Sequence, residues 1–247
     1  MTREQRTQLW VAGIFIAVII VITLIAAFAS SGGSTASTTP GFTATQTSPI
    51  TSTDHARGDA TAKVTMIEYG DYECPACGEY EPLVQQLYQS YGDRVLFVFR
   101  NFPLYQIHPF AMISAQATEA ANLQGKYWEM HDLLYSKQSE WSTNASLSPA
   151  DVVSKYFNGY AQSLGLNVTQ FDTDINSDAV KARVQSDLTL GNAAQIDHTP
   201  TFFINDTQIP NPQSLADFQK DLDAALASST GSTSSPQAAS TATTTAH

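Results

Sequence analysis

The chain has 247 residues, with 12 basic and 23 acidic side chains, a formal net charge of −11 and two cysteines. Binding to nucleic acid depends on clustered Lys and Arg, so this acidic balance argues against a DNA- or RNA-binding protein. Two cysteines exclude a disulfide-stapled scaffold and a metal site of four thiolates. No Asp, Glu, Lys or Arg occurs between Arg6 and Asp54 or beyond residue 227, so the folded region is expected between those limits.

The N-terminal region is dominated by one apolar segment. Residues 10–29 are almost entirely apolar, and that length of helix, at about 1.5 Å per residue, spans roughly the 30 Å of a bilayer core. Arg3 and Arg6 precede the segment and no charge follows it closely, which predicts a cytoplasmic stub at 1–8 and a transmembrane anchor at 9–29. Everything after the anchor is then expected outside the cytoplasm, at the cell membrane.

A cleavable signal peptide is the alternative for this segment. Ala27, Phe28 and Ala29 resemble a small-x-small cleavage site. Signal peptides, however, have apolar cores of roughly 7–15 residues, which is shorter than this one. The length therefore favours a retained anchor.

Two segments of low complexity flank the charged middle. Ser or Thr occupies 14 of the 24 residues from 30 to 53, and we predict a flexible linker at 30–59. The last segment, 228–247, is also rich in Ser and Thr and is predicted to be a disordered tail.

The first part of the middle region has a strand–helix–strand pattern. Residues 63–69 are β-branched and apolar and predict a strand that ends at Gly70. Pro75 is placed where the first residue of a helix tolerates proline, and apolar residues recur at helical spacing until Gly92. The continuous apolar run 95–99 predicts a strand covered on both faces. This order predicts a parallel pair of strands with a right-handed crossover.

The rest of the middle region is helical and then returns to strands. Amphipathic patterns predict helices at 110–123, 126–135, 149–164, 168–175 and 179–190. Strands at 201–204 and 207–209 are predicted to form a hairpin around Asn205 and Asp206. A last helix is expected to begin after Ser214, with Asp217 as an imperfect capping-box partner. The fold class is therefore α/β, βαβ then ββα, with residues 60–104 and 191–227 forming one domain around an all-helical insertion at 105–190.

Cys74, Pro75, Ala76 and Cys77 form a Cys-x-x-Cys motif between the first strand and the first helix. Cysteines three residues apart on a first helical turn can form a disulfide with little backbone motion. We expect Cys74 to be the nucleophile, because free N–H groups and the helix dipole favour its thiolate, and Cys77 to resolve the mixed disulfide. The alternatives are an inert structural disulfide and half of a zinc site, although zinc needs four ligands and no second paired motif occurs.

Three stretches of sequence carry a family resemblance: EYGDYECPAC at 68–77, FPL at 102–104 followed by HP at 108–109, and TPTFFIN at 199–205. The chain resembles membrane-anchored, DsbA-like thiol:disulfide oxidoreductases of the thioredoxin superfamily, over about residues 61–227. The resemblance implies a thioredoxin-like fold, no cofactor or metal, and a cis-proline loop at Thr199 and Pro200 that faces the cysteines. It also implies reduced exported proteins as substrates. The implied reoxidant is a quinone-linked membrane partner, similar to DsbB or vitamin K epoxide reductase.

Glu68 is the predicted proton carrier of this site. Alternation along its strand places Glu68 on the face of Val64 and Met66, where apolar neighbours raise the pKa of a carboxyl group and allow it to exchange a proton with Cys77. The resemblance also implies a buried acid here. The alternative is a strand-edge Glu that reaches water.

Two departures from the family pattern concern the ionisation of Cys74. Ala76 stands where strong oxidants of this family often have His, and residues 64–93 contain acidic but no basic side chains. We expect these acids to raise the pKa of Cys74 relative to an oxidant with a basic neighbour. We hypothesise that a protonated His198, just before Thr199, supplies the missing cation and so modulates that pKa; the alternative is a loop residue that faces solvent. His108 and His131 are expected to serve as caps or packing residues.

The leading functional prediction is an extracytoplasmic enzyme that forms disulfides in exported proteins by exchange through Cys74 and Cys77. A reductase or isomerase of the same fold is the first alternative. A redox-inert, anchored module that binds peptides along the edge at Thr199 and Pro200 is the second.

Overall fold

The computed structural model describes residues 47–144 and 146–231. Its strands are β1 (His55–Gly58), β2 (Val64–Gly70), β3 (Val95–Asn101), β4 (Thr201–Ile204) and β5 (Thr207–Ile209). Its longer helices are α1 (Pro75–Tyr91), α2 (Ala111–Asn122), α3 (Tyr127–Ser136), α8 (Asp178–Ala193) and α9 (Leu215–Gly231). Its shorter helices are α4 (Gln138–Trp141), α5 (Pro149–Val152), α6 (Asn158–Ser163) and α7 (Val168–Asp174), with a π-helical turn (Val153–Phe157) between α5 and α6.

The five strands form one sheet in the order β1-β3-β2-β4-β5. β2 and β3 are parallel, as predicted from the βαβ pattern, and the other neighbouring pairs are antiparallel. The predicted β4–β5 hairpin is confirmed, and Asn205 adopts φ 53° in its turn. Asn tolerates this left-handed conformation, and its Oδ1 accepts a hydrogen bond from the Thr65 N–H at 3.0 Å. Since β2 is the central strand, Glu68 lies between Phe99 and Phe202.

Helices cover both faces of the sheet. α1 and α9 pack on one face around a cluster that includes Met66, Leu87 and Phe218. α8 packs on the other face, where Leu188 meets Ile67. The helices between β3 and β4 bury a third cluster, and that cluster includes both cysteines. The Cys-x-x-Cys motif therefore lies where the helical region meets the sheet.

The structure differs from the predicted linker near residue 59. Residues 55–58 form β1, which pairs antiparallel with β3. Sequence patterning missed this strand because His-Ala-Arg-Gly has no alternating apolar face. Its charged residues are instead held by partners distant in the chain, for example Glu119, whose carboxylate lies 2.9 Å from His55 Nε2.

Arg100 on β3 explains why the end of the Ser- and Thr-rich segment folds against the domain. Its guanidinium is fully buried and pairs with both carboxylate oxygens of Asp54, at 2.7 and 3.1 Å. It also donates to the Tyr69 hydroxyl at 2.8 Å and to Thr47 Oγ1 at 3.0 Å. Two further acceptors are backbone carbonyl oxygens, those of Ser48 and Pro49. A buried cation needs such partners, so residues 47–54 complete the core.

Two helical predictions also differ from the structure. The helix predicted at 149–164 is interrupted by the π-helical turn, in which the Asn158 N–H bonds to the Val153 carbonyl. α9 continues to Gly231, into the predicted tail, and the hydroxyls of Ser228 and Ser229 donate there to the carbonyl oxygens of Ala224 and Leu226. The helix therefore passes residue 227, where composition alone ended it.

Within residues 47–144 and 146–231, none of the helices combines the length and apolarity needed to cross a bilayer. The anchor predicted at 9–29, the stub before it and most of the linker lie outside the described residues.

Replacing Asp54 with Ala is expected to lower the free energy of unfolding by about 3 kcal/mol, because it leaves the Arg100 charge buried without its partner. Burial alone would raise the pKa of Asp54, but hydrogen bonds from Arg100 and Thr51 lower it below the ordinary 3.8. The stabilisation is therefore present above pH 3.8 and lost as pH falls through the lowered pKa. Chemical denaturation at several pH values measures it. Asp206→Ala, at an exposed position between β4 and β5, is the control that should change stability little, and equal loss in both variants would contradict the role of Asp54.

Candidate active site

The two cysteines lie at the start of α1, directly after the central strand. Cys74 is the N-cap residue of α1, and Cys77 lies inside its first turn. The Cys74 N–H donates to the Asp71 carbonyl oxygen at 3.1 Å, which closes the turn between β2 and α1. Pro75 follows at the first helical position, where a missing N–H costs nothing. Both cysteines are free thiols, 7% and 0% exposed respectively.

The environment of Cys74 favours its thiolate. The pKa of Cys74 is lowered from 9.0 to about 5, first through a hydrogen bond from the Cys77 thiol. Burial opposes this shift, and the Thr199 side chain and the backbone N–H groups of Ala76 and Cys77 lower the pKa further. Hydrogen bonds at the helix start therefore outweigh the effect of burial on the pKa of Cys74. At neutral pH, Cys74 is a thiolate.

Cys77 has the opposite character. Burial, the hydrogen bond it gives to Cys74 and the charges of Cys74 and Glu68 raise its pKa well above 9.0. The Asp71 N–H lies 3.5 Å from Cys77 Sγ and partly offsets these effects. The motif therefore holds one thiolate and one thiol, as nucleophilic attack followed by resolution requires.

Glu68 lies on the face that alternation predicted. It lines a small cavity together with Met66 and is only 4% exposed. Burial, followed by the charge of Glu81, raises the pKa of Glu68 well above 4.5, as expected for a carboxyl group among apolar neighbours. Since Glu68 also influences the pKa of Cys77, the structure brings the predicted proton carrier and the resolving thiol into one neighbourhood.

The loop before β4 faces the cysteines. The Thr199–Pro200 peptide bond is cis, and the Thr199 carbonyl oxygen lies 3.5 Å from Cys74 Sγ. His198 is directed elsewhere, because its Nδ1 lies 2.6 Å from Asp197 Oδ1 and its side chain is 53% exposed. The structure thus brings Thr199 to the sulfur of Cys74. It pairs His198 with Asp197, and the role of His198 as a modulator of the Cys74 pKa stays a prediction.

Three polar residues surround the motif: Asp71, Glu73 and His108. From the sequence, His108 was expected to be a cap or packing residue, and the two acids were considered only for their charge. Asp71 accepts hydrogen bonds from the N–H groups of Glu73 and Leu104, and its Oδ2 lies 2.7 Å from His108 Nδ1. The Asp71 hydrogen bond raises the pKa of His108, to which the Cys74 charge also contributes. Burial raises the pKa of Glu73 to about 7, and its carboxylate accepts the Phe110 N–H. The FPL and HP segments of the family resemblance were the signal for this cluster.

Gln138 at the start of α4 holds the turn before α1. Its Nε2 donates to the carbonyl oxygens of Tyr72 and Cys74, both at 2.8 Å. These bonds fix the backbone that carries the nucleophile. No local sequence signal identifies Gln138, since the contact joins residues more than 60 positions apart.

One group of described residues has the spacing of a metal site. Glu81, His131 and Asp132 offer ligand atoms within 4.8 Å of one another. Gln85 Nε2, however, donates to Glu81 Oε1 at 2.6 Å and to Asp132 Oδ1 at 2.8 Å, and Arg57 Nη1 lies 3.4 Å from the same Asp132 oxygen. Donors therefore already lie between the carboxylates, and neither cysteine belongs to the group.

The mixed sheet, the dithiol at the start of α1 and the cis-proline loop beside it define a thioredoxin-fold protein with a dithiol site. The family model described as Thioredoxin matches residues 50–224. The chain therefore belongs to this thioredoxin family, and the predicted α/β, thioredoxin-like fold is confirmed.

Solved structures show the same fold. Oxidised BdbD from Bacillus subtilis is 22% identical, with a TM-score of 0.64, over 74% of this chain and 98% of that chain. The thiol-disulfide exchange protein alpha-DsbA2 from Wolbachia pipientis is 18% identical, with a TM-score of 0.57, over 70% of this chain and 87% of that chain. Identities this low establish the fold alone.

A curated relative is a longer protein. The Na⁺/H⁺ antiporter NhaA 1 of Salinispora arenicola is 40% identical over 152 residues, which cover 62% of this chain and 22% of the antiporter. This chain thus spans about a quarter of the length of the curated relatives it matches. The match contains more than twice as many residues as this chain has outside 50–224. More than half of the match therefore falls within the thioredoxin-family region.

Alkylation of the full chain measures the ionisation of Cys74 directly. The rate with iodoacetamide is expected to rise through a midpoint near pH 5 and then level off, because only the thiolate reacts. Cys77→Ala removes the hydrogen bond from Cys77 and should raise the midpoint by about one to two pH units. Cys77→Ser retains a donor and is the matched control. A wild-type midpoint near the ordinary value of 9.0 would contradict the assignment.

Proposed function

We propose that this chain is an extracytoplasmic thiol:disulfide oxidoreductase that forms disulfide bonds in exported proteins through Cys74 and Cys77. The observation that carries the proposal is the division of the two thiols into a low-pKa nucleophile and a buried, high-pKa partner. A purely structural disulfide needs no such division, whereas exchange through a mixed disulfide does.

The reaction begins with the Cys74–Cys77 disulfide. A substrate thiolate attacks Cys74 Sγ, a mixed disulfide forms, and Cys77 leaves as a thiolate that takes a proton from Glu68. A second substrate thiolate then attacks the substrate sulfur of the mixed disulfide and releases the Cys74 thiolate. The substrate loses two electrons as its disulfide forms, and the enzyme gains them as its own disulfide opens.

The ionisation of Cys74 supports oxidation as the direction. A leaving thiolate that is stable at neutral pH favours the reduced enzyme and therefore drives the substrate toward its disulfide. Each pH unit by which its pKa lies below 7 contributes about 1.4 kcal/mol, or about 30 mV of oxidising power. A pKa of about 5 gives this chain roughly two such increments.

The surroundings of Cys74 fit an unfolded polypeptide as substrate. Pro200 has no N–H, which leaves the adjoining edge open to the backbone of another chain. Beside the motif, the loop that carries Leu104 and His108 exposes two large apolar side chains, Tyr105 at 55% and Ile107 at 69%. Exposed apolar side chains next to a reactive sulfur suit reduced proteins that have not yet buried their own. The likeness to a thiol-disulfide exchange protein agrees with this reading.

Location and reoxidation are part of the same proposal. The apolar segment at 9–29 anchors the chain in the cell membrane with its N-terminus in the cytoplasm, and the Ser- and Thr-rich linker lets the domain reach emerging chains. Disulfides persist outside the cytoplasm, which agrees with that placement. The reduced enzyme returns its two electrons to a quinone-linked membrane partner similar to DsbB or vitamin K epoxide reductase.

Trapping of mixed disulfides tests the function. The Cys77→Ser variant of the full chain, activated as a mixed disulfide at Cys74, is expected to accumulate one-to-one adducts with a reduced, unfolded protein that contains a single cysteine and so cannot resolve them. The two-cysteine form of the same protein is the substrate for the wild-type enzyme. Cys74→Ser is the matched control and should form none. Adducts are counted on non-reducing gels before and after dithiothreitol, while loss of free substrate thiols with the wild-type disulfide form gives the direction. Absence of adducts would contradict the proposal and support a redox-inert binding module. Adducts without net oxidation of the substrate would support a reductase or isomerase.

A further inference from the structure

His131 on α3 lies near the dithiol but outside the machinery described above. Its ring is 1% exposed and packs edge-on against the rings of Phe99, Trp128 and Tyr135, with centroids 4.7 to 5.2 Å apart. An aromatic or aliphatic side chain would fill this space without a polar group. A buried imidazole with polar contacts instead suggests a task that involves its nitrogens.

A small cavity joins His131 to Glu68. It has a volume of about 10 Å³ and is lined by both residues, together with apolar side chains that include Met66 and Val84. This volume is close to that required by one water molecule. Within the described part of the chain, Glu68 Oε1 is buried and has no hydrogen-bond partner. A water between Glu68 and the His131 ring would supply that partner.

The other side of His131 leads to the surface. Its Nδ1 lies 3.0 Å from Asp132 Oδ1, and the Asp132 side chain is 46% exposed. Asp132 also lines an open surface cavity of about 280 Å³, together with Glu81 and Tyr135. The Asp132 carboxylate is therefore in contact with solvent, whereas the Glu68 carboxyl group is not.

Charged and titratable groups face His131 from every element packed around it. Asp132 adjoins it on α3, and Glu81 Oε1 on α1 lies 4.0 Å from its Nδ1. The remaining groups are Arg57 of β1, Glu68 of β2, and the phenols Tyr72, Tyr127 and Tyr135. Arg57 Nη1 lies 3.4 Å from Asp132 Oδ1, so the carboxylate nearest the surface is paired with a cation.

We propose that His131 and Asp132 relay protons between solvent and Glu68, through a water molecule in the cavity between Glu68 and His131. This inference rests on the proposed function, because it concerns the proton that Cys77 must gain and lose in each exchange cycle. Cys77 and Glu68 are both buried, so neither can exchange that proton with bulk water directly.

Each half of the cycle moves one proton along this route. When substrate opens the Cys74–Cys77 disulfide, the Cys77 thiolate takes the Glu68 proton, and Glu68 recovers one from solvent through Asp132, His131 and the water. When the disulfide reforms, Glu68 first loses its proton to solvent by the reverse path, and its carboxylate then takes the proton of the Cys77 thiol as the Cys77 sulfur bonds to Cys74. With Nδ1 bonded to Asp132, Nε2 is the ring nitrogen available to the water.

Stopped-flow oxidation of the reduced full chain by excess oxidised glutathione separates the two steps. Attack by Cys74 depends on glutathione concentration, and closure by Cys77 does not. His131→Gln is expected to slow closure about tenfold, to increase its solvent deuterium isotope effect and to give closure a new dependence on pH. The first step should stay within twofold of wild type. Asp132→Asn should slow closure about threefold. Glu129→Gln, an exposed charge change on the same helix, is the matched control and should change neither step.

Closure within twofold of wild type in a folded His131→Gln protein overturns the relay. If the His131→Gln protein does not fold, the Asp132→Asn variant tests the relay instead. The Asp132 side chain is half-exposed and Asn has nearly the same shape, so this variant is expected to fold. An unchanged closure rate and an unchanged isotope effect in Asp132→Asn would then overturn the proposal. Failure of the proposed function gives a different result: the wild-type protein forms no Cys74–Cys77 disulfide with glutathione, and the relay falls with it.

Discussion

One hydrogen bond, from the Cys77 thiol to Cys74, separates the chemistry of the two sulfurs. It makes the largest contribution to the low pKa of Cys74, and the same contact helps to raise the pKa of Cys77. The Cys77 donor is buried, so bulk water does not compete for its proton. The site therefore needs no basic side chain beside Cys74, and Ala76 within the motif is compatible with a reactive thiolate.

The fold maintains that contact from three directions. The central strand β2 carries Glu68 and ends at the turn that begins α1. Gln138 fixes the carbonyl oxygens of that turn from the helical region. The loop before β4 brings the Thr199 carbonyl oxygen to Cys74 from the opposite side. Sheet, helical region and cis-proline loop thus converge on two residues, which explains why the dithiol lies at their junction.

Local patterns in the sequence predicted the parts of this arrangement that depend on local physics. Alternation along β2 placed Glu68 on its face, and proline at the first helical position located the start of α1 beside Cys74. The role of β1 was not predictable in this way, because its four residues have no apolar period and are held by Glu119 and by pairing with β3. The pairing of Asp71 with His108 and the cavity shared by Glu68 and His131 were likewise not predicted, since these contacts arise only when distant segments meet.

The reduction potential of the Cys74/Cys77 couple, measured by equilibration with glutathione buffers at pH 7, tests the central claim most directly. Thioredoxin, with a nucleophile pKa near 7, has a potential of about −270 mV. A Cys74 pKa of about 5 predicts a potential at least about 60 mV more positive, near −210 mV or above. A value at or below about −270 mV would show that the hydrogen bond from Cys77 does not stabilise the reduced form, and the account of this chain as an oxidant would be contradicted.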